Sequence, residues 1–142
     1  MKQRTEISAG GIVYKKEGDQ ILLLITKHSQ YKAWSFPKGI IGDNVRNESK
    51  EDAAVREVAE EGGIKAKIIN DQPIDVHYSY RFKEYLVTKT VYYFLMEYTS
   101  GDPKDHDWEV SEAMFVMEEE VKRTLNYKAD QEAFEKILTL LK

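Results

Sequence analysis

The segment Arg56-Glu57-Val58-Ala59-Glu60-Glu61-Gly62-Gly63-Ile64 constrains this chain more than any other. At about 100° per residue, Glu57, Glu60 and Glu61 share one helix face, because positions i, i+3 and i+4 are neighbours. Ala54, Val55 and Val58 fall on an adjacent face and read as the side packed into a core. Gly62-Gly63 ends the helix, and Ser49 or Asn47 caps its start. Three like charges on one face repel one another unless a cation sits between them. Carboxylate oxygens are the ligands that magnesium and manganese favour. An acidic run is also the ordinary form of a solvated helix face, so the spacing of the glutamates by itself leaves both readings open.

With 142 residues the chain has room for one domain around a single core, taken as residues 1–142. Lys+Arg 21 against Asp+Glu 25 gives a net charge of −4, so no basic field favours a nucleic-acid partner. Cysteine is absent, which excludes disulfides, thiolate catalysis and cysteine-bound zinc and suits a reducing cytoplasm. Met1 to Glu6 lead into a strand rather than an apolar leader. No apolar run reaches the ~18 residues of a membrane span, so no membrane partner is expected.

Ile7–Lys15 reads as a strand in which Gly10 and Gly11 permit close approach of another backbone. Gly18-Asp19 punctuates a hairpin into Gln20–Lys27, whose Ile-Leu-Leu-Leu-Ile run fits a strand buried on both faces. Trp34–Phe36 reads as a short strand and Pro37–Asn47 as a loop. Lys65–Tyr80 alternates enough for one or two strands, and Thr88–Tyr98 is a β-branched and aromatic strand. A polar loop at Gly101–Asp107 precedes a last strand at Glu112–Met117 and helical segments at Glu118–Leu125 and Asp130–Leu141. This order predicts an α/β domain with a mixed sheet flanked by helices.

The acidic segment sits in a wider frame. Glu48, seven intervening residues, and then Arg-Glu-apolar-x-Glu-Glu-x-Gly-apolar resembles the Nudix box, the signature of the Nudix hydrolase family. Trp34-Ser35-Phe36-Pro37-Lys38-Gly39 looks like the strand end and loop opening that precede the box in that family. The resemblance runs from about Ile7 to the last helix, with the box at about residues 39–64. It implies a Nudix-type α/β/α sandwich and a pyrophosphohydrolase that uses Mg2+, with Mn2+ as the other candidate ion. Cleavage of a diphosphate bond by water suits such a site, because divalent cations neutralise phosphate charge and lower the pKa of bound water. One departure concerns the family's glycine six residues before the first glutamate. Gly42 meets that count, whereas Gly39 follows the Phe-Pro-Lys phrase nine residues before Glu48. Gly39 reads as the equivalent, with a three-residue insertion between Ile40 and Asn47.

Carried over from the family box, Glu57, Glu60 and Glu61 hold the cations and one of them orients or deprotonates the water. Glu60 and Glu61 are the principal ligands and Glu57 a ligand or the base; the base itself stays open. The Gly39 carbonyl completes the metal shell, and Glu109 is a fourth carboxylate of the kind many Nudix enzymes recruit from a later loop. Arg56 braces loop against helix through Glu48 or Glu57. Ala53, between Glu57 and Glu60 on the wheel, leaves room for a hydrated cation. His28, His77 and His106 show no ligand spacing and read as packing or surface residues.

Lys89, Val91 and Tyr93 share a strand face. Together with Ser8-Ala9-Gly10-Gly11 and Trp34–Gly39, the segment from Lys89 to Leu95 looks like the diadenosine polyphosphate hydrolase branch. That likeness implies Lys89 and Tyr93 as substrate contacts and Lys38 as a phosphate contact; Tyr78, Tyr80 and Tyr127 are further rings for base stacking. The expected activity is hydrolysis of diadenosine tetraphosphate to ATP and AMP. The alternatives are clean-up of nucleoside triphosphates or diphosphate-linked nucleotides, removal of pyrophosphate from RNA 5′ ends, and a non-catalytic nucleotide-sensing Nudix domain.

Overall fold

The computed structural model describes residues 1–42 and 46–141, in which eight strands form one mixed sheet and three α-helices cover its two faces. Two long strands, β1 (Lys2–Glu17) and β7 (Tyr85–Gly101), run parallel at the centre, from Lys2 opposite Tyr85 to Tyr14 opposite Glu97. Each exchanges its outer neighbour part-way along. β1 pairs antiparallel with β4 (Lys38–Ile40) at Ser8–Gly10 and with β2 (Gln20–His28) at Tyr14–Glu17. β7 pairs with β6 (Ile74–Phe82) along Tyr85–Tyr93 and with β5 (Ile64–Ile68) along Met96–Gly101. β2 continues outward to β3 (Trp34–Ser35) and β8 (Val110–Met117).

Strand alternation divides the core. Val91, Tyr93 and Leu95 of β7 join Ile12, Leu23, Ile25 and Phe36 on one face. They pack against Val121 of α2 (Glu118–Thr124), Leu125 beyond it, and Phe134, Ile137 and Leu138 of α3 (Lys128–Leu141). Phe94 and Met96 join Ala9, Val13 and Leu24 on the other face, against Ala53, Ala54 and Val58 of α1 (Lys50–Gly62). Each large apolar side chain so buried stabilises the fold by roughly 1.5–3 kcal/mol. The chain is therefore an α/β/α sandwich, with the mixed sheet flanked by helices that the order of its elements predicts and the layering that the resemblance implies.

α1 starts at Ser49, whose hydroxyl accepts from the Asp52 amide at 3.1 Å, and stops at Gly63, which takes φ 72°. Its buried arc holds Ala53, Ala54, Glu57, Val58, Glu61 and Gly62. Val55 lies just outside that arc and is 37% exposed, so it is not part of the core. Ala53 belongs to the core instead of leaving space for a cation, because α1 packs on β1 along that side. Two further expectations change through pairing that only the sheet provides. β1 begins at Lys2 because its first residues lie beside Tyr85–Lys89, and Lys38–Ile40 inside the expected loop is strand because β1 pairs with it. Within the span Ile40–Asn47, where a three-residue insertion is expected, residues 43–45 lie outside the described residues. Among the described residues no helix is long and apolar enough to cross a membrane.

Candidate functional site

Glu57, Glu60 and Glu61 occupy the C-terminal part of α1, whose last turn holds no basic residue. The C-terminal end of a helix carries partial negative charge, so each carboxylate there is unfavourable by roughly 0.3–1 kcal/mol. Burial adds to this, since Glu57 is 6% and Glu61 9% exposed. Desolvation pushes Glu57 up to about 7, against the pull of Arg56 and with the charges of Glu60 and Glu109 adding to it. Desolvation pushes Glu61 up to about 8, against the Lys38 charge and the Lys38 amide, which donates to Glu61 Oε1 at 3.2 Å. A protein does not collect carboxylates this way for stability.

Arg56 partly answers that charge. Its Nε and Nη2 donate to the two oxygens of Glu48 at 2.6 and 2.9 Å. Its Nη1 donates to Glu57 at 2.7 Å and to Glu60 at 3.1 Å. Glu48 also accepts from the Gly42 amide at 3.3 Å, which ties the loop before α1 to the same cluster. The brace thus engages both Glu48 and Glu57. Gly39 lies directly against the Glu57 carboxylate, where a Cβ would stand 2.2 Å from its carboxyl carbon. No side chain fits there without displacing that group.

The segment after β7 closes on the other side of the helix end. The Asp107 amide donates to the Glu60 carbonyl at 2.8 Å, and a Cβ on Gly63 would meet the His106 nitrogen at 2.7 Å. This docking brings Glu109 to the cleft that Glu57, Glu60 and Glu61 also line. Among the described residues no three acidic or histidine side chains already converge as a finished metal cage. The donors nonetheless suit a hard divalent cation: all are oxygens, two carboxylates are buried at the negative end of a helix, and Arg56 holds two of the three in place of a metal.

The raised values fix the direction of a pH effect. An unfolded glutamate titrates near 4.5, so Glu57 and Glu61 contribute no penalty below that pH. As pH rises from about 4.5 through about 7 and about 8, the fold must ionise buried carboxylates, and stability is lost. His28 titrates with the opposite sign, because burial and then Lys38 and Lys89 lower its pKa. Comparison of wild type with Glu61→Gln isolates the glutamate contribution. In EDTA the wild-type Tm is expected to fall relative to the variant between pH 5 and 8. A difference of about 1 kcal/mol corresponds to roughly 4 °C in a chain of this length. Added Mg2+ or Mn2+ should restore the wild type increasingly as pH rises, since the ligands must be deprotonated. A difference flat in pH would contradict the assignment.

The acidic helix end borders a cleft of about 680 Å³. Neighbouring contacts order its lining. Next to Glu61 comes Lys38, whose charge is felt by Lys89 and His28. Lys89 stands opposite Tyr78 in the β6–β7 register, and the Tyr78 and Tyr80 rings lie 6.3 Å apart. Tyr31, Phe82 and Tyr127 are further rings in the lining, which also includes Arg81. The cleft therefore passes from carboxylates through cations to rings.

Of the expected site residues, Gly39, Glu57, Glu60, Glu61, Glu109, Lys38, Lys89, Tyr78 and Tyr127 all line this cleft, while Glu48 and Arg56 stand behind it. Tyr93 does not line it. It is wholly buried, donates to Asp130 Oδ1 at 2.7 Å and packs edge-on to Phe36 at 5.7 Å. A ring with no exposed face cannot stack on a base, so that expectation is corrected: α3 covers this strand face at Tyr93. His28 is the opposite case. It lines the cleft, stacks on Tyr31 at 4.7 Å, and its Nδ1 accepts from the Gln30 and Tyr31 amides, which leaves Nε2 to carry the proton of the neutral ring. Its place depends on β2 pairing with β8, where His28 meets Val110 beside Glu109, and no spacing in the sequence shows that. Tyr80, expected as a ring, lines the cleft as well, and Phe82, which was not expected there, continues the period-two aromatic pattern that starts at Tyr78. His77 is exposed and bonded to Asp75 and Thr90, and His106 Nδ1 pairs with the Asp107 carbonyl.

In sequence the chain is 33% identical over 133 residues to a candidate mutator protein, MutT4, of Mycobacterium tuberculosis, a match covering 89% of this chain and 52% of that protein. The chain thus spans about half the length of this relative. Among solved structures it is similar to the Ap4A (diadenosine tetraphosphate) hydrolase of C. elegans in a binary complex, with a TM-score of 0.81 and 24% identity over 96% of this chain and 97% of that one. It is also similar to the Nudix domain of NrtR from Shewanella oneidensis complexed with ADP ribose, with a TM-score of 0.75 and 18% identity over 97% and 89% of the two chains. These two likenesses speak to the fold. The profile of the NUDIX domain matches residues 4–137, from β1 into α3 and through the whole acidic helix, and the chain belongs to the Nudix family.

Proposed function

We propose that this protein hydrolyses phosphoanhydride bonds in nucleotide polyphosphates, with diadenosine tetraphosphate as its substrate and ATP and AMP as products. The observation that carries this is the order of the cleft, from carboxylates through Lys38 and Lys89 to aromatic rings, which matches a chain of phosphates ending in a base. Held by Glu57, Glu60, Glu61, Glu109 and the Gly39 carbonyl, Mg2+ or Mn2+ would neutralise phosphate charge and acidify water. Lys38 and Lys89 pair with the phosphate chain, and Tyr78 and Tyr127 stack on the base. Glu57 or Glu60 takes the proton of the attacking water. Glu57 suits the task because burial holds it at about 7. A cytoplasmic location belongs to the same proposal and agrees with the lack of cysteine.

A second reading, clean-up of mononucleotides, rests on the relative at higher identity, which carries a mutator name rather than that of a dinucleotide hydrolase. A panel of phosphorylated nucleotides with product analysis separates the two. Dinucleoside tetraphosphate should give AMP and ATP rather than two ADP. Tyr78→Ala and Tyr127→Ala should raise KM about 5- to 20-fold with a smaller change in kcat, since stacking on a remote base is largely uniform binding. Lys89→Met should penalise long phosphate chains more than short ones. Equal turnover of nucleoside triphosphates, with both tyrosine variants indifferent, would favour the second reading.

A further inference from the structure

The loop between β2 and β3 is built around one side chain, His28. The His28 backbone closes the turn, donating to the Ala33 carbonyl and accepting from the Lys32 amide, both at 2.9 Å. Its Nδ1 accepts from the amides of Gln30 at 3.1 Å and Tyr31 at 3.2 Å. Ser29 fastens the same loop to the segment after β7. Its amide donates to the Glu109 carbonyl at 2.9 Å and its hydroxyl to the Trp108 carbonyl at 2.8 Å. With the Tyr31 ring stacked on it at 4.7 Å, the imidazole is held in one orientation. Accepting backbone amides two or three residues ahead is ordinary work for Asn or Asp. A histidine does it with Nδ1 and carries a second nitrogen on the far side of the ring. Among the described residues that Nε2 makes no hydrogen bond. The two amides at Nδ1 require its lone pair, so Nε2 carries the proton. A neutral N–H donor is thereby fixed in the wall of the cleft, which His28 lines.

Strand geometry says what that donor would meet. His28 and Thr26 share a face of β2, about 7 Å apart along the strand. Thr26 pairs with Ser35, whose hydroxyl accepts from the Lys38 ammonium at 2.6 Å. On the other edge of β2 the pairing slips: Lys27 faces Glu112 while His28 faces Val110, so Ser111 is an extra residue. Bulges of this kind re-aim side chains and recur beside active sites. Here the bulge sets His28 against Val110, the residue after Glu109. His28 therefore stands on the wall between Lys38 and Glu109, both of which line the same cleft. We propose that His28 is a phosphate-binding residue, its Nε2–H donating to an oxygen of the phosphate chain where that chain passes from Lys38 to the carboxylates. The assignment rests on the reading of the cleft as a polyphosphate site. An uncharged donor suits this place. It bonds a phosphate oxygen, whereas a third lysine would also compete with the divalent cation for the carboxylates. The loop fixes the ring before the ligand arrives, so little side-chain freedom is lost on binding.

Two substitutions separate the two ends of the ring. Asparagine keeps an oxygen near the place of Nδ1 and has nothing in place of Nε2. His28→Asn should unfold near the wild-type temperature yet bind tripolyphosphate about 5- to 20-fold more weakly, by calorimetry at pH 7.5, above the ordinary imidazole range. KM for diadenosine tetraphosphate should rise to match, with a smaller change in kcat. Glutamine keeps an amide nitrogen near the place of Nε2 and offers the loop amides no acceptor. His28→Gln should lose stability and keep more of the binding. With three histidines in the chain, through-bond assignment of the ring 15N resonances reads the wild type directly, whether or not either variant folds. Nδ1 should resonate as an unprotonated acceptor, and tripolyphosphate should move the Nε2–H signal. An Asn variant that binds as wild type does, or an Nε2–H signal indifferent to saturating tripolyphosphate, would leave His28 a loop cap and overturn the assignment, with the functional reading intact. A wild type that neither binds tripolyphosphate nor cleaves the dinucleotide would overturn the functional reading, and the assignment with it, because His28 would have no phosphate to meet.

Discussion

Glu60→Gln and Glu61→Gln are expected to lower kcat about 10²-fold or more, the scale seen when a preorganised electrostatic contact is lost. The two should differ in what they do to the fold. Glu61 is 9% exposed and holds an elevated pKa of about 8, whereas Glu60 is only partly covered, its side chain 39% exposed. Glutamine at position 61 can still accept from the Lys38 amide, yet removes a carboxylate that burial disfavours when ionised. Metal-free Glu61→Gln should therefore unfold at a higher temperature than wild type at pH 8 while being nearly inactive. Such a gain of stability with loss of turnover marks a residue retained for its ligand rather than for the fold. Full activity of either variant, or wild-type turnover that persists after exhaustive chelation, would remove the metal assignment. Circular dichroism of each variant should match wild type, because neither substitution empties core volume.

Arg56→Met is expected to give the largest loss of stability among the polar substitutions, about 2–3 kcal/mol. Breaking a buried ion pair typically costs about 3–5 kcal/mol, and the figure is discounted here because the Arg56 side chain is 16% exposed. The reason is the number of partners: one guanidinium donates to Glu48, Glu57 and Glu60, and two of those side chains are 3% and 7% exposed. Without it three carboxylates face one another. Thermal unfolding at pH 7.5 should show the drop as roughly 10 °C. Glu48→Gln should cost less, since Arg56 keeps Glu57 and Glu60. The double variant should cost less than the two single losses added together, because both remove the same contact. Additive losses would mean that Arg56 and Glu48 do not act as a pair in solution. Mg2+ should also narrow the gap between Arg56→Met and wild type, since a cation supplies the charge that the guanidinium provided.

The acidic helix was legible because its determinants are local. Ser49 and Gly63 cap it, its glutamates recur at helical spacing, and core residues interleave with them on the buried arc. The box frame around Glu48 and Arg56 likewise lies within a few turns of chain, so the residues that meet in space are near in sequence. Strand alternation placed Lys89 and Tyr93 on one side of β7 for the same reason: period two is a property of the strand itself. How far that face is covered is not. α3 packs over Tyr93 and stops short of Lys89, which turns one into a buried donor to Asp130 and leaves the other in the cleft. The contact joins residues 37 positions apart, and nothing between them signals it. His28 and Glu109 meet the cleft only because β2 pairs with β8 and the segment after β7 docks on the end of α1. The sequence by itself determined the helix, its charges and the sandwich that carries it, through capping, periodicity and patterning. Only the tertiary structure decided which of its polar and aromatic side chains line the cleft and which lie beneath it, because burial is set by the elements that pack across a face and not by the strand that presents it.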